Sequence, residues 1–136
     1  MDAQNLAYAL IQVLHNLGAA TVVGGPFAAI MMPMQARLER RLAGMAGAAW
    51  LVQIASGALF GAVSFHYYGR FPDISGIAVG ALVVKAVCAC LGVVLAAAYV
   101  LRAARWSEAA RMLALRILAG LGLAALCAAA FLRWFS

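Results

Sequence analysis

Tyr8, Gln12 and His15 follow one another at spacings of four and three residues, which places them on one face of a helix, with Asn16 beside them. Gln53, Ser56 and Ser64 share a second such face with Phe60. Lys85, the only lysine of the chain, heads a third, with Cys88 and Gly92 below it. A neutral imidazole on an apolar helix suits a haem iron or another transition metal. An amine held away from water needs an anionic partner, such as a haem propionate, a substrate carboxylate or a lipid. The structural alternatives are a histidine hydrogen-bonded to a neighbouring helix and a lysine held by a polar side chain. His66 stands where Tyr67 and Tyr68 mark a headgroup level, and it reads as interfacial.

The elements that carry these residues are membrane spans. Of the 136 residues, 68% are hydrophobic and 10% charged. A soluble domain runs near half apolar and about a quarter charged, so that class is excluded. Disorder, which requires low hydrophobicity and high net charge, is excluded too. Four apolar stretches, Leu6–Met32, Leu42–Phe65, Ile74–Leu101 and Met112–Leu132, are each long enough for the roughly 20 residues that cross a bilayer. They lack the period-two alternation of a β-barrel. The expected fold is a single-domain, all-α integral membrane four-helix bundle, up-and-down and antiparallel.

The net charge of +6 reads as a topology signal rather than a nucleic-acid surface. Arg37, Arg40, Arg41, Arg102, Arg105, Arg111 and Arg116 fall on one side of the spans, against Arg70 and Arg133 on the other. The positive-inside rule then puts both termini on the outer, periplasmic side of a bacterial inner membrane. The N-terminus has no basic segment and predicts no cleavable signal peptide. Pro33 opens the first connection, Gly69 and Pro72 mark the second, and Ser107 is placed to cap the last helix. Small-residue steps at Gly57/Gly61, Gly76/Gly80 and Gly120/Ala124 are expected to pack the helices together.

Depth brings the candidate residues to one layer. At a rise of about 1.5 Å per residue, His15 lies roughly 14 Å from the outer side and Lys85 roughly 16 Å. Gln53, near the middle of its span, joins them, whereas His66 lies well above. Two histidines at different depths disfavour a bis-histidine haem and favour a haem with one imidazole ligand. Arg116, one turn inside its span, reads as snorkelling to the headgroups.

Other chemistry has less support. Cys88 and Cys90 point about 200° apart on a helix and form no two-thiolate site. Met31, Met32 and Met34 around Pro33 offer thioethers suited to Cu(I), although methionine at a helix end commonly packs. There is no phosphate loop, no serine nucleophile with a nearby base and no close carboxylate pair. The four spans hold no carboxylate of the kind a proton pump uses.

The segment Leu14-His15-Asn16-Leu17-Gly18-Ala19-Ala20, followed by Gly24-Gly25, resembles the opening helix of the copper-resistance protein D family. It is also similar to that of the small four-helix membrane protoporphyrinogen oxidases of bacteria. Lys85, within Leu82-Val83-Val84-Lys85-Ala86, stands where those oxidases carry a helix-3 lysine. Thr21-Val22-Val23 stands where they carry a tryptophan. The resemblance implies a b-type haem held by His15 in a membrane bundle, with Lys85 near the tetrapyrrole.

The expected function is a small inner-membrane redox protein, or redox-complex subunit, associated with haem b. His15 is the axial ligand in this reading, and Lys85, Gln53 and Gln12 are cofactor-binding residues that orient a tetrapyrrole or a quinone-like substrate. Two alternatives stand beside it. One is a non-catalytic accessory subunit packed against a larger respiratory or photosynthetic complex; other membrane-protein subunits or copies of the chain itself are the protein partners considered. The other is passage of copper or another metal across the membrane.

Overall fold

The computed structural model describes residues 3–32 and 35–135. It contains four long helices, α1 (Ala3–Met31), α2 (Ala36–Tyr68), α3 (Ile77–Arg102) and α4 (Glu108–Phe135), with a single 3₁₀ turn at Ala103–Arg105. No strand occurs among the described residues. All four helices are long and apolar enough to cross a membrane, which makes this a multi-pass membrane protein. Expected and observed bounds differ most at α2, which begins at Ala36 rather than Leu42. Arg37, Leu38, Glu39 and Arg40 are good helix formers and carry the helix past the apolar stretch. Helix α3 starts three residues later than expected, because Gly76 holds a positive φ of 53°.

Each helix end has a local cause. Gly69, at φ 66°, ends α2 in the left-handed conformation and donates its N–H to Phe65 O at 2.9 Å. Ser107 Oγ accepts the Ala110 N–H at 3.2 Å and caps the start of α4. Pro33 and Met34 lie outside the described residues.

Helix α1 packs against α2 and α4, and α3 packs against α4 and α2, closing a ring around a narrow core. The core is built from small residues, with Ala43, Ala46, Ala78 and Ala96 almost fully buried. Large apolar side chains such as Leu17, Val83, Val94 and Leu113 face outward, as expected where lipid is the surrounding solvent.

The glycines that bring the helices together are not those expected from spacing. A Cβ at Gly57, Gly80 or Gly120 would meet nothing within 4 Å, and one at Gly61 would only touch the Phe71 ring. Gly76 precedes α3 rather than packing within it. The close approaches are at Gly92, where a Cβ would collide with the Trp50 indole, and at Gly122, where it would lie 2.9 Å from Val22 O. Pro26, buried inside α1, has no N–H for the Val22 carbonyl, and α4 comes against that freed oxygen at Gly122. Spacing on a single helix marks small faces without saying which one meets a neighbour.

Candidate functional site

Helices α1, α2 and α3 bring His15, Ser56, Gln53 and Lys85 together. Gln53 Nε2 donates to the His15 backbone carbonyl at 2.5 Å and ties α2 to α1. That contact also sets a limit at Gly18, where a Cβ would lie 2.6 Å from Gln53 Nε2. The His15 ring is held on both sides. Its Nδ1 lies 2.7 Å from Ser56 Oγ, and its Nε2 lies 3.2 Å from Lys85 Nζ. Phe60 meets the ring edge-on, with centroids 5.8 Å apart, and Tyr8 stacks behind Phe60.

Two cavities open on this pair. The smaller, of about 150 Å³, is lined by Gln12, Asn16, Gln53 and Trp50 among others. The larger, of about 1010 Å³, runs past Gly57, Phe60 and Phe71 to Arg133. His15, Lys85 and Gln12 border both. The larger recess is at the upper end of volumes typical of small-molecule and cofactor sites, about 300–1,000 Å³. Among the described residues its lining holds two cations, Lys85 and Arg133, and no carboxylate. Glycine at position 57 leaves its wall open.

The sequence-derived residues thus divide by what they touch. His15 and Lys85 face each other. Gln53 supports His15 through its backbone, and its side chain also borders the smaller cavity. Gln12 donates to Asn16 Oδ1 at 2.7 Å, one turn along its own helix, and lines both cavities. His66 is exposed and packs edge-on against Tyr67, away from the pair. Arg116 is exposed. Cys88 is buried, while Cys90 and Cys127 are exposed. Met31 and Met32 are exposed, and Met34 lies outside the described residues. Among the described residues no group of three His, Cys, Asp or Glu side chains could enclose a metal ion.

A second polar cluster was not singled out from the sequence. Glu39, 9% exposed, accepts a hydrogen bond from Tyr99 OH at 2.9 Å and forms an ion pair with Arg111 Nε at 3.3 Å, both through Oε2. Trp106 stands edge-on to Tyr99. Glu39 fell in the expected first connection, so its burial was hidden. Its single acid amid Arg37, Arg40 and Arg41 was the available signal.

Among the described residues this site would offer a haem one imidazole, that of His15. The His15 imidazole borders a recess of cofactor size, with Ser56 at one ring nitrogen and Lys85 at the other, and Arg133 lines the same recess. For a metal to take Nε2, Lys85 must release it. Compared with known protein families, curated proteins and solved structures, the chain matches none.

Proposed function

We propose that this protein is a small haem b-associated redox protein of the bacterial inner membrane, acting alone or as a subunit of a redox complex. The observation that carries the reading is the His15 imidazole, anchored at Nδ1 by Ser56, paired at Nε2 with Lys85, and bordering a recess that Lys85 and Arg133 also line. Haem, when bound, supplies one-electron transfer. The chain's own residues do the rest. His15 would offer a ring nitrogen to the iron, Ser56 would hold the ring in place, and Lys85 would be the cation at hand for a propionate. Arg133, in the last turn of α4, offers a second cation near the mouth of the recess. Phe60, Phe71 and Leu82 give the recess apolar walls that disfavour water.

The topology proposed with it is an up-and-down antiparallel bundle with both termini outside. Two sets of contacts support it. Gln4, near the start of α1, donates to Tyr68 OH at the end of α2. Glu39, early in α2, meets Tyr99 near the end of α3 and Arg111 near the start of α4. The arginine-rich end is the cytoplasmic one by the positive-inside rule. Titrating the detergent-solubilised chain with haem tests the reading. A saturable Soret shift at one haem per chain is expected, and an unsaturable, weak response contradicts it.

A further inference from the structure

We propose that Ser56 is a positioning residue that fixes the tautomer of His15, so that the imidazole carries its proton on Nδ1 and presents a bare lone pair at Nε2. Ser56 Oγ lies 2.5 Å from Val52 O, one turn back in α2, and 3.3 Å from Gln53 O. Two oxygens at 2.5 Å repel unless a proton sits between them, so the single Ser56 hydroxyl proton is committed to the Val52 carbonyl. The same Oγ lies 2.7 Å from His15 Nδ1. With its own proton spent, Ser56 accepts here, and Nδ1 must be the donor. A neutral imidazole then has no proton left for Nε2. Lys85 Nζ, 3.2 Å from Nε2, has protons to donate whether it is an amine or an ammonium, and the chain of bonds closes without conflict. The direction runs from Lys85 through His15 and Ser56 to the backbone of α2.

The consequence is that Nε2 is an acceptor, able to ligate a metal or take a proton once released, and that Lys85 caps it. In metal-ligating histidines generally, the hydrogen-bond partner on the far nitrogen sets which nitrogen is free. What the lone pair serves rests on the haem reading above. Its existence does not.

The test is nitrogen NMR of the full chain in detergent, labelled with ¹⁵N-histidine and prepared without added haem. A His66→Gln background leaves His15 as the only imidazole. The expected spectrum shows Nε2 at the far-downfield, unprotonated position and Nδ1 upfield, as one tautomer. Nε2 found protonated overturns the proposal. Ser56→Ala and Ser56→Cys, the second with a thiol that is a weak acceptor, are each expected to move both resonances toward averaged positions. Ser56→Thr, which keeps a hydroxyl, is expected to restore the single tautomer. A wild-type pattern in whichever of the first two variants folds overturns the role of Ser56. Because no haem is present, this result and the Soret titration fail separately.

Discussion

Lys85 Nζ lies 3.2 Å from His15 Nε2, although 70 residues separate the two in the chain. The contact spans α1 and α3 and joins the only lysine of the protein to one of its two histidines. Both side chains are half-buried at the meeting point of two cavities. In lipid a lone cation needs a partner. Here the His15 Nε2 is that partner, and an anionic group takes its place in the proposed bound state.

Removing the cation tests that exchange. Lys85→Gln is expected to weaken haem binding by about ten- to a hundredfold, since a hydrogen bond to a charged group is worth about 1.5–3 kcal/mol. Lys85→Arg, which keeps the charge, is expected to lose less. Equal affinities for wild type and Lys85→Gln, measured by the Soret titration, would show that Lys85 makes no contact with the ligand.

Filling the recess separates binding from folding. A Cβ at Gly57 meets nothing within 4 Å, yet Gly57 lines the larger cavity. Gly57→Leu is therefore expected to leave thermal unfolding in detergent near or above the wild-type midpoint, because glycine costs a helix about 1 kcal/mol relative to good formers. The same variant is expected to lose haem binding. Full binding with normal stability would place the ligand elsewhere.

How much of this was legible in the sequence depends on what a single helix can reveal. The layer shared by His15 and Lys85 followed from helical rise alone, because both depths were counted from the same side. The spans were legible for the same reason, as each is a long apolar run. Pairing between helices was not. The Gly57/Gly61 step has the spacing of a packing motif but opens on the recess, whereas Gly92 and Gly122 make the close contacts. Only the facing residues, Trp50 and Val22, distinguish the two cases. Glu39 was obscured because a good helix-forming stretch rich in arginine resembles a connection when only hydropathy is considered.

The buried acid supplies a stability prediction. Glu39→Ala removes the acceptor of both Tyr99 and Arg111 and is expected to cost about 1–3 kcal/mol. The side chains of Arg111 and Glu39 retain 24% and 12% exposure, so water takes up part of the loss. Glu39→Ala combined with Tyr99→Phe is expected to cost less than the sum of the two, as for residues in contact. Strict additivity in thermal or denaturant unfolding would mean that the Tyr99 to Glu39 bond contributes nothing.

A pair of glycine substitutions tests the packing. Gly92→Ala drives a methyl into the Trp50 ring and is expected to cost about 1–3 kcal/mol, as overpacking does. Gly120→Ala, on the open face of α4, is expected to be neutral or mildly stabilising. The two midpoints in one detergent give the comparison, and a reversed order would refute the assignment of Gly92 to the α2–α3 contact.

The most direct measurement is the reduced-minus-oxidised visible spectrum of membranes and purified protein from cells supplied with a haem precursor, for wild type, His15→Ala and His66→Ala. A b-type band present in wild type and His66→Ala, and lost in His15→Ala, is the predicted result. No band in wild type, or one that persists unchanged in His15→Ala, would contradict the assignment of His15 as the iron ligand.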